Sequence, residues 1–287
     1  GPMANTLKRK SGCQNYLIVR DIFPQWAVDM QLLSKGLPYR LLKSVERYLY
    51  SVADIIGVQT PANLTYFDDW SSKPGCRVEV LQNWLAEAPD AGCSISVAEG
   101  PLAGRTIFVY AGNMGVAQGM GVLIDLAERF CNRRHIGFLF VGRGSDAQLL
   151  RKEAKVRKLD NVVFHEEIEP REIPGLYAQC HIGLVVLDPR HTTHNIPGKF
   201  LSYMQSGLPV LASINPGNDL IEIIETEAVG KVCSDHSVDT IQRLAEELVE
   251  DRSNETNVSA RCRLLASKLF STEVAVKQII AAIVKPE

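Results

Sequence analysis

The chain has 287 residues, of which 46% are hydrophobic and 22% charged, with a formal net charge of −2. This globular composition excludes a disordered chain, and the near-neutral charge gives no support for a nucleic-acid partner. No apolar run approaches the ~20 residues of a membrane span, and seven cysteines without a CxxC pair fit a reducing cytosol better than a zinc site or a disulfide framework.

The first part of the chain, residues 13–85, alternates short apolar runs with helical spacing. Gly1-Pro2 is typical of a protease-cleavage remnant, and the basic run 8–10 is interpreted as a solvated terminus. A helix is predicted over 37–52, with one apolar side facing a core, formed by Leu41, Leu42, Val45, Leu49 and Val52. Strands are predicted at 16–19, 54–60 and 77–81.

The composition of residues 86–104 predicts a linker. Residues 105–270 alternate more regularly between strand and helix patterns, which predicts a second domain. Its continuously apolar strands are predicted at 106–111, 136–141, 162–164, 182–187 and 210–212. The alternation predicts an α/β fold with a parallel, doubly wound sheet, whose ligands lie outside the carboxyl ends of the strands. The closing segment, 271–287, is predicted as a helix that can pack back on the N-terminal part.

Three loops at the ends of these strands carry residues suited to an anionic ligand. Three glycines in Gly112–Gly119 let the backbone approach a ligand closely, and Arg143 is a planar fork for phosphate. The third loop leads into a helix with Lys199 in its first turn and Gly207 as its C-cap. A structural turn, a solvated arginine and an ordinary helix explain these residues equally well.

Residues suited to acid–base chemistry are sparse. His191 and His194 are three residues apart, but no carboxylate or cysteine is placed nearby to complete a metal site, so none is expected. No Ser/His/Asp signature occurs, and the catalytic residue remains unknown.

In combination and in chain order, these segments resemble GT-B glycosyltransferases of family 4. The resemblance extends over nearly all of residues 15–285. The matching segments are the turn at 112–119, VGRG at 141–144, NVVFH at 161–165, CHIGLVVL at 180–187, PGKFLSYMQSGLPVLAS at 197–213, VRDIFPQWAVD at 19–29, ERYLYSVADIIGVQT at 46–60 and VEVLQNW at 78–84. A narrower resemblance is to bacterial enzymes that add N-acetylated amino sugars, such as the N-acetyl-fucosaminyl type, to O-antigen or capsule units.

The resemblance implies a GT-B fold with two Rossmann-like domains, the second binding the donor. It also implies retaining, metal-independent transfer from a nucleotide diphosphosugar such as a UDP-sugar to a lipid-linked glycan, without a cofactor. The protein is then expected in the cytoplasm, with peripheral contact at the inner membrane.

The implied site residues fall into three groups. Diphosphate would contact Gly112, Asn113, Gly115, Gln118, Arg143, Gly198 and Lys199. The nucleoside would contact Gly142, Glu166, Ile168 and Ser202, and the sugar would contact His194, Asn195 and Ile196. Backbone amides of Gly112 to Gly115 are expected to donate to the diphosphate, whose charge develops in the transition state.

The chain departs from the family pattern at four of these positions. Asn113 and Gln118 stand where the family usually has arginine and lysine, so more of the phosphate charge is expected to fall on Lys199. Ser202 and His194 stand at the positions of the family's two glutamates, and a hydroxyl bonds ribose less strongly than a carboxylate.

The resemblance further predicts that the chain begins near the last strands of the first domain, and therefore binds a nucleotide sugar without efficient transfer. Two other classes stay open. One is another enzyme of this architecture, a UDP-sugar 2-epimerase or a sugar phosphorylase, although neither clustered carboxylates nor a pyridoxal lysine is recognisable. The other is a non-catalytic binding protein, which the neutral Asn113, Gln118 and Ser202 favour.

Overall fold

A computed structural model of the chain describes residues 1–87, 89, 91–190, 195–254 and 257–284. The chain divides into two compact units. The first comprises Gly1–Trp84, Arg190–Ile196 and Leu269–Glu287, and the second comprises Leu85–Pro189 and Pro197–Lys268. Within the described ranges, every helix is too short or too polar to cross a bilayer.

The first unit contains a three-stranded parallel sheet and surrounding helices. Its elements are α1 (Pro2–Ser11), β1 (Tyr16–Val19), α2 (Gln25–Asp29), α3 (Leu37–Val52), β2 (Ile55–Val58), a 3-10 helix (Pro61–Phe67), α4 (Asp68–Ser71), β3 (Arg77–Val80) and, at the far end of the chain, α12 (Thr272–Ile283). The strand order is β1-β2-β3, with Tyr16 opposite Ile55 and Ile55 opposite Arg77. Gln278 of α12 donates to the carbonyl oxygen of Val80 at 2.7 Å, which ties the C-terminal helix to β3.

Helix α1 was not expected from the sequence, which indicated a solvated terminus. Its basic run lies in the last turn, where cations complement the helix dipole. Lys8 forms an ion pair with Asp54 at 2.7 Å and donates to the carbonyl oxygen of Val52 at 3.1 Å, so the terminus is attached to the unit.

The orientation of α3 differs from the prediction. The buried side of α3 contains Glu46. Its carboxylate accepts hydrogen bonds from the hydroxyl groups of Tyr66 at 2.8 Å and Tyr50 at 3.2 Å. Lys43 forms an ion pair with that carboxylate, with 2.5 Å between its Nζ atom and Oε2 of Glu46. A buried charge is tolerated only when it is paired and hydrogen-bonded, and this network turns Leu41 and Val45 outward, where the sequence had predicted them in a core.

The second unit contains a six-stranded sheet with helices between its strands. Its elements are β4 (Thr106–Ala111), α5 (Gly121–Arg129), β5 (Ile136–Val141), α6 (Ala147–Val156), β6 (Val162–His165), α7 (Ile173–Tyr177), β7 (Ile182–Val186), α8 (Gly198–Ser206), β8 (Val210–Ser213), α9 (Asp219–Thr226), β9 (Gly230–Cys233), α10 (Val238–Asn254) and α11 (Val258–Leu269), with 3-10 turns at Val116–Gln118 and Pro170–Glu172. The central strands β4, β5 and β7 are buried apart from Thr106 at the start of β4, which explains why they are apolar without alternation.

The strand order of this sheet is β6-β5-β4-β7-β8-β9, and every neighbouring pair is parallel. The predicted fold class, α/β with parallel Rossmann-like sheets, is confirmed. The chain runs outward in one direction from β4 to β6 and in the other from β7 to β9. This reversal between β4 and β7 opens a crevice at their carboxyl ends, where ligands of such sheets bind.

The segment predicted as a linker, 86–104, groups with the second unit. Two of its apolar side chains, Ile95 and Leu102, are buried. Its backbone also donates to side chains on either side of α7, from Val97 to Gln179 at 2.9 Å and from Ser94 to Glu172 at 2.6 Å. These bonds make it a packed extension of the second unit.

Candidate functional site

The loops after β4 and β5 interlock at the sheet's crevice. The amide of Gly112 donates to the carbonyl oxygen of Val141 at 2.9 Å, and Met114 donates to that of Arg143 at 2.7 Å. Gly142 has φ +138°, and a Cβ there would lie 2.1 Å from the carbonyl oxygen of Gly112. Only glycine fits this backbone conformation and this close approach.

The amides of Gly112, Met114 and Gly115 in the first loop already donate within the protein, contrary to the prediction that Gly112 to Gly115 donate to a ligand. The side-chain oxygen of Gln118 accepts from the amide of Gly115 at 3.0 Å and from the Asn113 side chain at 3.3 Å. With the amide of Gly112 also engaged, neither glycine offers a free N–H group. Their contribution to a site is the absence of side chains.

Lys199 lies in the first turn of α8, whose N-terminus begins after Pro197 without a side-chain cap among the described residues. Its ammonium lies 4.4 Å from the centroid of the Tyr110 ring, a cation–π contact. A Cβ built on Gly112 would lie 3.7 Å from Cε of Lys199, so the lysine and the first loop meet.

The charge of Lys199 has no counter-ion among the residues that the structure describes. Burial lowers the pKa of Lys199 to about 8, and no described carboxylate forms an ion pair with it. A half-buried ammonium beside uncapped helix amides attracts an anion, because desolvation strengthens the interaction and the helix dipole adds to it.

Tyr203 fixes the position of α8 on the sheet. Its hydroxyl group donates to the carbonyl oxygens of Val109 in β4 at 3.0 Å and of Leu184 in β7 at 3.3 Å. Its ring packs where a Cβ on Gly183 would lie. Since residues four apart share a helix face, the anchoring of Tyr203 also directs Lys199 toward the crevice. The helix ends at Gly207, a left-handed C-cap as predicted.

The other cation expected at the diphosphate is placed differently. Arg143 is exposed, and its guanidinium forms an ion pair with Glu167 at 2.9 Å. Glu166, predicted to contact the nucleoside, is exposed and pairs with Arg151 at 2.7 Å. Both pairs are open to solvent, where such interactions are weak, so a ligand can displace either one.

The remaining nucleoside candidates lie in two places. Ser202 donates its hydroxyl proton to the carbonyl oxygen of Gly198 at 3.3 Å, which leaves its oxygen able to accept a bond. Ile168 is half-buried in the loop after β6.

Two of the three predicted sugar contacts are described, and both lie in the first unit. The amide of Ile196 donates to the side-chain oxygen of Gln59 at 3.1 Å, so it is engaged. The side-chain oxygen of Asn195 is buried and has no hydrogen-bond partner within the described ranges. His194 and its neighbour His191 lie outside the described residues.

Two residues of these sites were missed by sequence reasoning. Tyr110 lies under Lys199 and donates to the carbonyl oxygen of Asn113 at 2.6 Å, which holds the first loop. Burial raises the pKa of Tyr110, so it stays a neutral donor. The only available signal was an aromatic residue next to the end of β4. For Gln59, a polar residue just after buried β2 was the corresponding signal.

No three His, Cys, Asp or Glu side chains in the described ranges are grouped as a metal site would require.

Comparison with known proteins gives matches over most of the chain. Residues 105–251 match the family model described as "Glycosyl transferases group 1". The chain is 26% identical over 258 residues to the probable glycosyltransferase WbjE of Pseudomonas aeruginosa. That match covers 85% of this chain but 62% of WbjE, so the chain spans less than two thirds of that relative.

Solved structures show the same fold. Anabaena Alr3699/HepE, in complex with UDP and glucose, has a TM-score of 0.72 at 15% identity and covers 98% of this chain and 74% of its own. WaaG, described as a glycosyltransferase involved in lipopolysaccharide biosynthesis, has a TM-score of 0.68 at 14% identity and covers 99% of this chain and 81% of its own. These matches agree with the predicted GT-B fold.

Proposed function

Because the chain belongs to the glycosyl transferases group 1 family, we propose that it is a retaining, metal-independent glycosyltransferase of surface polysaccharide biosynthesis. The donor is a UDP-sugar, with an N-acetylated amino sugar as the transferred group. The acceptor is a lipid-linked or oligosaccharide glycan. The descriptions of WbjE and WaaG as glycosyltransferases support the reaction class, and the UDP bound to HepE supports the donor nucleotide.

The observation that carries the proposal is the position of Lys199. It is a half-buried ammonium at an uncapped helix start, against the glycine loop of a parallel sheet's crevice. When the bond between the sugar and the diphosphate breaks, negative charge develops on the departing oxygen. A cation already in place there lowers the barrier without reorganisation.

The proposed ligand arrangement follows from the same geometry. Lys199 and the first amides of α8, at Gly198, face the diphosphate. The oxygen of Ser202, one turn further along α8, accepts from a ribose hydroxyl group. The glycine loop supplies a surface without side chains.

Calorimetric titration of the 287-residue chain tests whether it binds UDP through the diphosphate. UDP is expected to bind, and uridine to bind far more weakly, because the diphosphate meets the charge of Lys199. Equal affinities for UDP and uridine would show that the diphosphate does not bind at Lys199. Product analysis with a panel of UDP-sugars then separates transfer from 2-epimerisation and from binding without reaction.

The affinity for UDP is expected to fall as the pH rises through about 8. Lys199 is charged below its pKa of about 8 and neutral above it. The terminal phosphate of UDP titrates at about pH 6, so its charge does not change over this range. Between about pH 7 and about pH 9.5 the affinity should decrease about tenfold or more. Titrations in two buffers of different ionisation enthalpy would show proton uptake on binding, and a flat profile would contradict the role of Lys199.

Introducing an arginine at Asn113 is expected to tighten UDP binding about fivefold, since it adds one exposed cation beside the diphosphate. The Asn113 side chain is exposed and makes only a 3.3 Å bond to Gln118, so little is lost. Asn132→Arg, at an exposed asparagine after α5, is the matched control and should leave the affinity unchanged. If both variants gain equally, the effect is one of net charge alone.

A further inference from the structure

The outward face of α3 is an apolar stripe. Its four large exposed side chains are spaced by four, four and three residues, which places them in one row along the helix. Their exposures are Leu37 80%, Leu41 68%, Val45 49% and Tyr48 39%. The opposite side of the helix is anchored by the network around Glu46, so the stripe cannot turn inward without unpairing a buried carboxylate.

The charges beside this stripe are of one sign. Arg40 and Arg47 are exposed on the same flank of α3, and the only acidic residue of the helix, Glu46, is buried in its network. An apolar stripe with a basic flank is the pattern of a helix that lies in the plane of an anionic membrane surface.

A groove of about 670 Å³ opens at the C-terminal end of the stripe. It is lined by Arg47, Tyr48 and Ser51 of α3 and by Asp69, Trp70 and Lys73. The ammonium of Lys73 lies 3.5 Å from the centroid of the Trp70 ring. Neither cation pairs with a carboxylate in the part of the chain that the structure describes, so two positive charges face one negative charge, that of Asp69.

This groove has the chemistry of a phosphate site at an interface. Arg47 can hold a phosphate with two parallel bonds, and Lys73 adds a compact charge. Tyr48 and Trp70 are the residue types that lie at the level of lipid headgroups, with the ring in the apolar layer and the polar atom in water.

We propose that α3 docks on an anionic lipid bilayer, with the stripe of Leu37, Leu41, Val45 and Tyr48 in the interfacial layer and a lipid phosphate in the groove between Arg47 and Lys73. The positive charge beside the stripe favours an anionic bilayer over a second copy of the chain as the partner, because two copies would bring the arginines of α3 face to face. The inference extends the proposed transferase, because a lipid-linked acceptor is reached from the membrane surface.

The test is co-sedimentation of the 287-residue chain with phosphatidylcholine vesicles, with and without phosphatidylglycerol. The chain is expected to sediment with the anionic vesicles and to remain in solution with the neutral ones. Arg47→Gln with Lys73→Gln removes two charges and should weaken partitioning about 25-fold, at about fivefold per charge near the surface. Leu41→Ser with Val45→Ser should abolish partitioning at high salt, where only the apolar contribution remains.

Matched controls lie on α6 in the second unit. Lys152→Gln with Lys155→Gln makes the same charge change, and Leu149→Ser with Val156→Ser makes the same apolar change at positions that are also exposed. All four double variants should keep the helical circular dichroism of the parent chain. Equal losses in the α3 and α6 variants would overturn the proposal.

Two other outcomes would also overturn it. One is binding to neutral and anionic vesicles alike. The other is a dimer in sedimentation velocity without lipid that the α3 substitutions dissociate, which would assign the stripe to a second copy. Vesicle binding needs no nucleotide, so its failure is distinguishable from a failure of the UDP titration.

Discussion

Replacement of Lys199 by methionine is expected to abolish detectable UDP binding. Methionine keeps an unbranched apolar stem against Tyr110 and removes only the ammonium, the one cation that the structure places against the first loop within its described residues. A charge-assisted bond to a half-buried cation contributes about 1.5–3 kcal/mol, and the loss of the unscreened charge adds to it. Calorimetric titration of the variant with UDP measures the effect directly.

Lys152→Met serves as the control, because Lys152 is exposed on α6 and should leave UDP binding unchanged. Thermal unfolding separates loss of the ligand from loss of the fold. The Lys199→Met chain should melt no lower than the parent without ligand, since burial already penalises the charged lysine. An affinity for UDP within twofold of the parent's would place the diphosphate elsewhere.

Gly142→Ala is expected to cause a large loss of stability. Gly142 has φ +138°, and the new Cβ would lie 2.1 Å from the carbonyl oxygen of Gly112. The interlocked loops must separate to accept it, which breaks the bonds of Gly112 to Val141 and of Met114 to Arg143. A loss of about 3 kcal/mol or more in the free energy of unfolding is expected, measured by urea denaturation.

Gly121→Ala is the matched substitution. Gly121 opens α5, and a Cβ built on it meets no atom within 4 Å. This change should be neutral or should stabilise the chain by about 0.5–1 kcal/mol, because alanine loses less entropy in a helix. If the two alanine variants unfold at the same urea concentration, the two loops do not interlock.

The fold class could be read from the sequence because its signals are local. Continuous apolar runs such as Ile136–Val141 predict buried strands, and Gly207 followed by Pro209 predicts where α8 ends. The placement of the three loops at the carboxyl ends of strands follows from the same alternation. These are properties of neighbouring residues, so they need no knowledge of the rest of the chain.

The predictions that were wrong concerned which polar groups form hydrogen bonds with each other. Helical spacing identifies two sides of α3, but the buried side was chosen by Glu46, Tyr50 and Tyr66, and Tyr66 lies 20 residues away from Glu46. The amide of Gly115 was expected to be free, and it is taken by the side chain of Gln118. A periodicity does not report which polar group finds a partner.

Local patterns in the sequence were enough to predict every described strand except β9, the helices between them, the glycine turns and the lysine at the start of α8. The folded chain was needed to show that Lys199 lies on Tyr110 with no described carboxylate paired to it, that Arg143 is already paired with Glu167, and that the amide of Ile196 donates to Gln59. The physical reason is distance along the chain. A strand or helix is specified by contacts within a few residues, whereas the charge state and free donors of a site depend on groups that only folding brings together.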